Sequence, residues 1–92
     1  MATPDILQRY QTVSRELASL YRELAKIKSA IVTDWDDAYQ QAVSEGLAYN
    51  PAAARGKSAI RRWSLEELKL IGDIDAALIE LRCLDQLLKF GA

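Results

Sequence analysis

With 92 residues and a single cysteine, the chain has room for one domain and no intramolecular disulfide to staple it, so stability must come from an apolar core or from association. Half of the residues are hydrophobic, 27% are charged and the formal net charge is −1. That balance excludes a disordered chain and removes any bulk electrostatic pull toward nucleic acid.

No apolar run approaches the ~20 residues that cross a bilayer, and the N-terminal stretch lacks the basic and apolar segments of a secretory signal. No membrane partner is therefore expected. The lone Cys83 suits a reducing compartment, which makes the cytoplasm the expected location.

The first helix is expected over about residues 4 to 45, with Thr3 as cap, Pro4 in the first turn and Asp5 complementing the helix dipole. Its apolar series, Ile6, Tyr10, Val13, Leu17, Leu20, Leu24, Ile27 and Ile31, alternates steps of four and three, the seam of a coiled coil. Beyond Ile31 the rhythm becomes Trp35, Ala38, Ala42, an eleven-residue period that relaxes left-handed supercoiling. Val32, Tyr39 and Val43 widen the apolar surface there. Gly46 fits the left-handed position that ends such a helix.

A turn over residues 46–50 leads to a second helix, expected over about residues 51 to 62, for which Asn50 is the cap and Pro51 the first residue. Gly56 is a candidate break within it. Ser64 and Glu67 then have the spacing of a capping box, and Trp63 with Leu68 that of a hydrophobic staple, so a third helix is expected over about residues 65 to 89. Whether the second and third helices are continuous is left open by these signals. Phe90 and Gly91 mark the stop.

The third helix has two apolar faces. Leu70, Ile74, Ala77, Leu81, Leu84 and Leu88 form one seam, widened by Ile71 and Leu78. Leu65, Gly72, Ala76, Ile79, Cys83, Leu87 and Phe90 fall on the opposite side, where small residues permit close approach of another helix. A hairpin covers only one of these faces. The fold class expected is thus all-α, one domain over residues 1–92: a long helical hairpin that dimerises into a four-helix bundle or coiled coil through the second stripe.

The chemistry of catalysis is poorly supplied. Histidine is absent, which removes the usual general base near neutral pH and leaves Cys83 without an activating imidazole. Gly56-Lys57-Ser58 resembles the end of a phosphate loop, but Pro51 stands where the earlier glycine is needed and no strand precedes it. Asp34 and Asp37 share a helix face, yet they are one acidic pair without further converging carboxylates, so no metal site is assigned. Arg9, Arg15, Arg22 and Lys28 invite comparison with the dicarboxylate clamp of helical chorismate mutases, but Ile31 to Gly46 offers no further cation and the expected Asp-x-x-Arg-Glu segment is missing. No catalytic residue, metal or cofactor is expected, and the chain reads as non-enzymatic.

The candidate recognition residues are Arg55, Lys57, Arg61 and Arg62 with Trp63 and Tyr49, because cations beside exposed aromatics clamp phosphates and stack bases. The competing reading is internal. With the turn centred near residue 48, antiparallel return places Arg61 and Arg62 level with Asp34, Asp36 and Asp37. Residues 31–50 carry four acidic and no basic side chains, and residues 51–62 four basic and no acidic ones, blocks that can set hairpin or dimer register.

The Trp-x-Gly turn of the WXG hairpins is missing, since Ser64 and Leu65 follow Trp63. The layout resembles small helical accessory proteins of actinobacterial phages: a long helix (residues 4–45), a basic alanine-containing connection (Pro51 to Arg62) and a leucine-rich helix (Leu65 to Leu88) with Leu81-Arg82 and Leu84-Asp85. That resemblance implies an accessory role through host-protein or nucleic-acid contact and carries over no functional residues. The functional expectation is an adaptor or inhibitor acting by self-association and partner binding; the alternative is a nucleic-acid-binding accessory using residues 55–62.

Overall fold

A computed structural model describes residues 3–90. They form three helices, α1 (Thr3–Ser44), α2 (Tyr49–Ala59) and α3 (Arg61–Phe90), with no strand among the described residues. The fold is the all-α helical hairpin that the apolar periodicities call for. No helix among the described residues is long and apolar enough to cross a membrane. The side chain of Thr3 and the stop at Gly91 lie outside the described residues.

The chain divides into two compact units. One joins α1 as far as Glu23 to α3 from Leu70 onward; the other is Leu24–Lys69. In the first unit the seam residues Ile6, Tyr10, Leu17 and Leu20 of α1 are half-buried and Val13 is fully buried, while Leu70, Ile74 and Leu84 of α3 are buried with Ala77, Leu81 and Leu88 half-buried. Arg9 fastens this unit through a two-pronged bond to Glu80, Nε to one carboxylate oxygen at 2.7 Å and Nη2 to the other at 3.0 Å.

In the second unit Leu24, Ile27, Ile31, Trp35 and Ala38 are half-buried and Ala42 is buried; Ala52, Ala53 and Gly56 are buried from α2. Small residues dominate because helix backbones approach closely here. A Cβ placed on Gly56 would lie 2.6 Å from the indole of Trp35, so the ring sits directly on the glycine backbone. The same ring stacks on Tyr39 at 5.0 Å and 11°, and Tyr39 meets Tyr49 edge-on at 6.1 Å. Gly56 is therefore a packing site and does not interrupt α2.

The turn after α1 is built as the glycine suggests. Gly46 has φ +90°, the Gly46 amide donates to the Val43 carbonyl at 2.9 Å, and the Leu47 amide donates to Ala42 at 3.1 Å. These two bonds satisfy carbonyls that a helix end leaves free.

Two expected boundaries move. The second helix begins at Tyr49, with Ala48 at the cap position and no side-chain cap, because the Ala52 amide already donates to the Ala48 carbonyl at 3.0 Å. Asn50 is thereby inside the helix, and Pro51 occupies its third residue, where an amide has no helical partner to lose. The break between α2 and α3 falls at Ile60, several residues before the expected one. Ser64 lies inside α3 with its amide bonded to the Ile60 carbonyl at 2.9 Å, so the capping box has no free amide to serve, and Leu68 at 65% exposure makes no staple with Trp63.

Candidate functional site

The basic segment lies on α2 and the first turn of α3, within the second unit. Its register is close to the one expected from the turn position. Trp63 is half-buried and its indole Nε1 donates to an Asp34 carboxylate oxygen at 2.7 Å. The expected neutralisation of Arg61 and Arg62 by Asp34, Asp36 and Asp37 does not occur: among the described residues none of these arginines pairs with those aspartates. Tryptophan takes the Asp34 position because its ring is large enough to bury while its N–H satisfies the carboxylate.

The four cations part company. Arg55 bonds Glu45 at 2.5 Å, an acid that the sequence blocks contained but that register alone did not single out. Arg62 reaches Glu66 only at 3.5 Å, leaves 81% of its side chain exposed and sets its guanidinium 5.5 Å from the Trp63 ring centroid. Lys57 and Arg61 enter no ion pair among the described residues, and with Leu65 and Leu68 they line a shallow groove. Tyr49 is exposed at the turn, its ring edge against Tyr39.

The second stripe of α3 is uncovered throughout its described length. Leu65 is 65% exposed in the second unit; in the first, Ile79 is 60% and Phe90 83% exposed, and Gly72, Ala76, Cys83 and Leu87 are exposed as well. Space around Gly72 is open, since a Cβ there would meet nothing within 4 Å.

Among the described residues an electrostatic perturbation is resolved at the Arg9–Glu80 clamp. The hydrogen bond from Arg9 holds the Glu80 carboxyl below the ordinary carboxylate value, and the bond to Glu80 raises Arg9. This clamp escaped sequence reading, because a lone pair of opposite charges 71 residues apart carries no local signature. Among the described residues no three Cys, Asp or Glu side chains gather as a metal site would require, and Asp34 is turned to Trp63 while Asp37 is exposed. No protein-family model matches the chain, and no curated protein or solved structure matches it significantly.

Proposed function

We propose that the chain is a non-enzymatic helical interaction protein, an adaptor or inhibitor that self-associates through the outer stripe of α3 and engages a protein partner in a reducing, cytoplasmic setting. The observation that carries this reading is the exposure of the stripe from Leu65 to Phe90. Fully burying a large aliphatic or aromatic side chain contributes about 1.5–3 kcal/mol, so covering Ile79, Leu87 and Phe90 in each of two copies supplies a substantial drive toward association. Isolated exposed leucines are ordinary, but several large apolar side chains exposed along one helix face are not.

Sedimentation equilibrium across a wide concentration range tests the proposal. The wild-type chain is expected to pass from monomer to dimer as concentration rises, and Ile79→Glu to weaken that dimer at least tenfold without loss of helicity, since a buried unpaired charge is costly. A wild-type chain that stays monomeric at high micromolar concentration contradicts it.

A second reading has its own observation. Among the described residues Lys57 and Arg61 enter no ion pair and Arg62 makes only a long one, which suits phosphate contact by a nucleic-acid-binding accessory. Against it, Arg55 is engaged by Glu45 and the Trp63 indole by Asp34, leaving Tyr49 as the exposed aromatic for stacking. Fluorescence anisotropy with a single-stranded oligonucleotide decides the matter: this reading requires binding whose logarithm falls with log salt, with a shallower slope in Lys57→Gln and Arg61→Gln. Absence of binding at low salt removes it.

A further inference from the structure

No acidic residue lies between Pro51 and Leu65, and three acids that meet this segment each bond another group: Glu45 takes Arg55, Asp34 the Trp63 indole and Glu66 Arg62. Lys57 and Arg61 enter no ion pair among the described residues. Both are exposed, as are Leu65 and Leu68 at 65% each. With Ala54, Ser58 and Ser64 these four side chains line one open groove, which lies wholly within the Leu24–Lys69 unit.

The break at Ile60 does not divide the groove. The Ile60 amide donates to the Gly56 carbonyl at 3.3 Å and the Ser64 amide to the Ile60 carbonyl at 2.9 Å, so Lys57, Arg61, Leu65 and Leu68 follow one another at steps of four, four and three on one face. They recur about every 6 Å, the spacing of side chains on one stripe of a partner helix. Ala54, Ser58 and Ser64 are small and leave room for such a helix to approach between the longer side chains. Two chemistries lie in order along this face, cations over 57–61 and leucines over 65–68. Nucleic acid would satisfy the cations alone, leaving the leucines in water, and no aromatic ring lines the groove to stack a base.

We infer that this groove docks an acidic amphipathic helix of a protein partner, with carboxylates on successive turns set against Lys57 and Arg61 and apolar side chains on the next turns set against Leu65 and Leu68. The inference rests on the partner binding proposed above and gives that partner its site and its chemistry. Ile79, Leu87 and Phe90, in the other unit, remain for self-association.

Fluorescence anisotropy with labelled synthetic helical peptides, beside a single-stranded oligonucleotide, is the test. One peptide carries glutamates on two successive turns and leucines on the next two, and a second has the reverse order, so both directions of docking are sampled. Saturable binding of at least one is expected, weakened about tenfold by Lys57→Glu with Arg61→Glu, about tenfold by Leu65→Ser with Leu68→Ser, and retained in Ile79→Glu. The chain with Lys57→Glu and Arg61→Glu is expected to bind the peptide in which lysines replace the glutamates, a reversal that damage to the fold does not produce. Failure of both peptides to bind the wild type overturns the inference, and oligonucleotide binding in that case transfers the groove to nucleic acid. Peptide binding unchanged by the leucine and cation substitutions, or lost in Ile79→Glu, overturns it as well. Sedimentation of the same variants separates it from self-association: a wild-type dimer dissolved by the groove substitutions makes a second copy the occupant and overturns the foreign helix, whereas a monomeric wild type that still binds peptide removes self-association and leaves the groove standing.

Discussion

Gly56→Ala probes the second unit at its tightest point. A methyl group there would lie 2.6 Å from both Cε2 and Nε1 of Trp35 and 2.8 Å from Cδ1, distances that no relaxed contact reaches, so the indole has to move. Its movement is resisted, because the ring is also stacked on Tyr39. Alanine in a helix is favoured over glycine by about 0.8–1 kcal/mol. Overpacking costs about 1–3 kcal/mol, and disturbing an aromatic pair a further ~0.5–1.5 kcal/mol, so a net destabilisation of about 1–2 kcal/mol is expected. In a chain of this size each kcal/mol lowers Tm by about 4–8 °C.

Urea denaturation at fixed protein concentration, followed by circular dichroism, measures the effect, and holding concentration constant separates it from association. The decisive comparison is with the same substitution in a Trp35→Ala background. There the clash is gone and Gly56→Ala is expected to stabilise by about 1 kcal/mol, so the sign reverses between backgrounds. Equal stabilisation in both backgrounds would refute the packing of Trp35 on Gly56.

Other perturbations give distinct outcomes. Trp63→Phe keeps the ring but removes the donor to Asp34, and a loss of about 1–2 kcal/mol is expected in urea denaturation, since bonds to charged groups are the stronger kind. Gly46→Ala meets no neighbouring atom but must adopt φ +90°; the expected cost of about 1 kcal/mol is conformational, and Gly46→Asn should recover part of it. The Glu80 carboxyl titrates lower in the folded chain than in the unfolded one. Its stabilising contribution is therefore complete above the ordinary carboxylate range and is lost as pH falls through the lowered pKa. Thermal melts of wild type and Glu80→Gln should accordingly converge on acidification, and a gap unchanged at low pH would count against the clamp.

The fold was largely legible in the sequence because helical burial repeats every few residues. Every seam position from Ile6 to Ala42 is buried or half-buried, and so is each of Leu70, Ile74, Ala77, Leu81, Leu84 and Leu88. Gly46 identified the end of α1 for a local reason, its left-handed backbone. The break near residue 60 was not legible. Ser64 and Glu67 carry the signature of a helix start, yet the Ser64 amide already has a backbone partner in the Ile60 carbonyl. A capping signature acts only where an amide is otherwise free.

The register beside the basic segment is legible in the sequence, and the ion partners expected there are not the ones the structure shows. A turn near residue 48 correctly brings the Asp34 and Trp63 levels together, but side-chain volume and burial decided that tryptophan, not arginine, takes the carboxylate. The second apolar stripe of α3 is legible from periodicity alone, and its exposure follows from a hairpin that offers one covering face. Contacts such as Trp35 on Gly56 depend on how closely two helices approach, which composition does not encode.

Association in solution is proposed to cover the outer face of α3, and Cys83 reports on that face because it lies within the stripe and is exposed in the single chain. The measurement is the rate of Cys83 alkylation by a small thiol reagent in excess, over a thousandfold range of protein concentration, with Ile79→Glu as the comparison. A rate that falls as the wild-type chain becomes more concentrated, and stays constant in Ile79→Glu, is the result predicted. A rate independent of concentration in both would contradict the covering of this face.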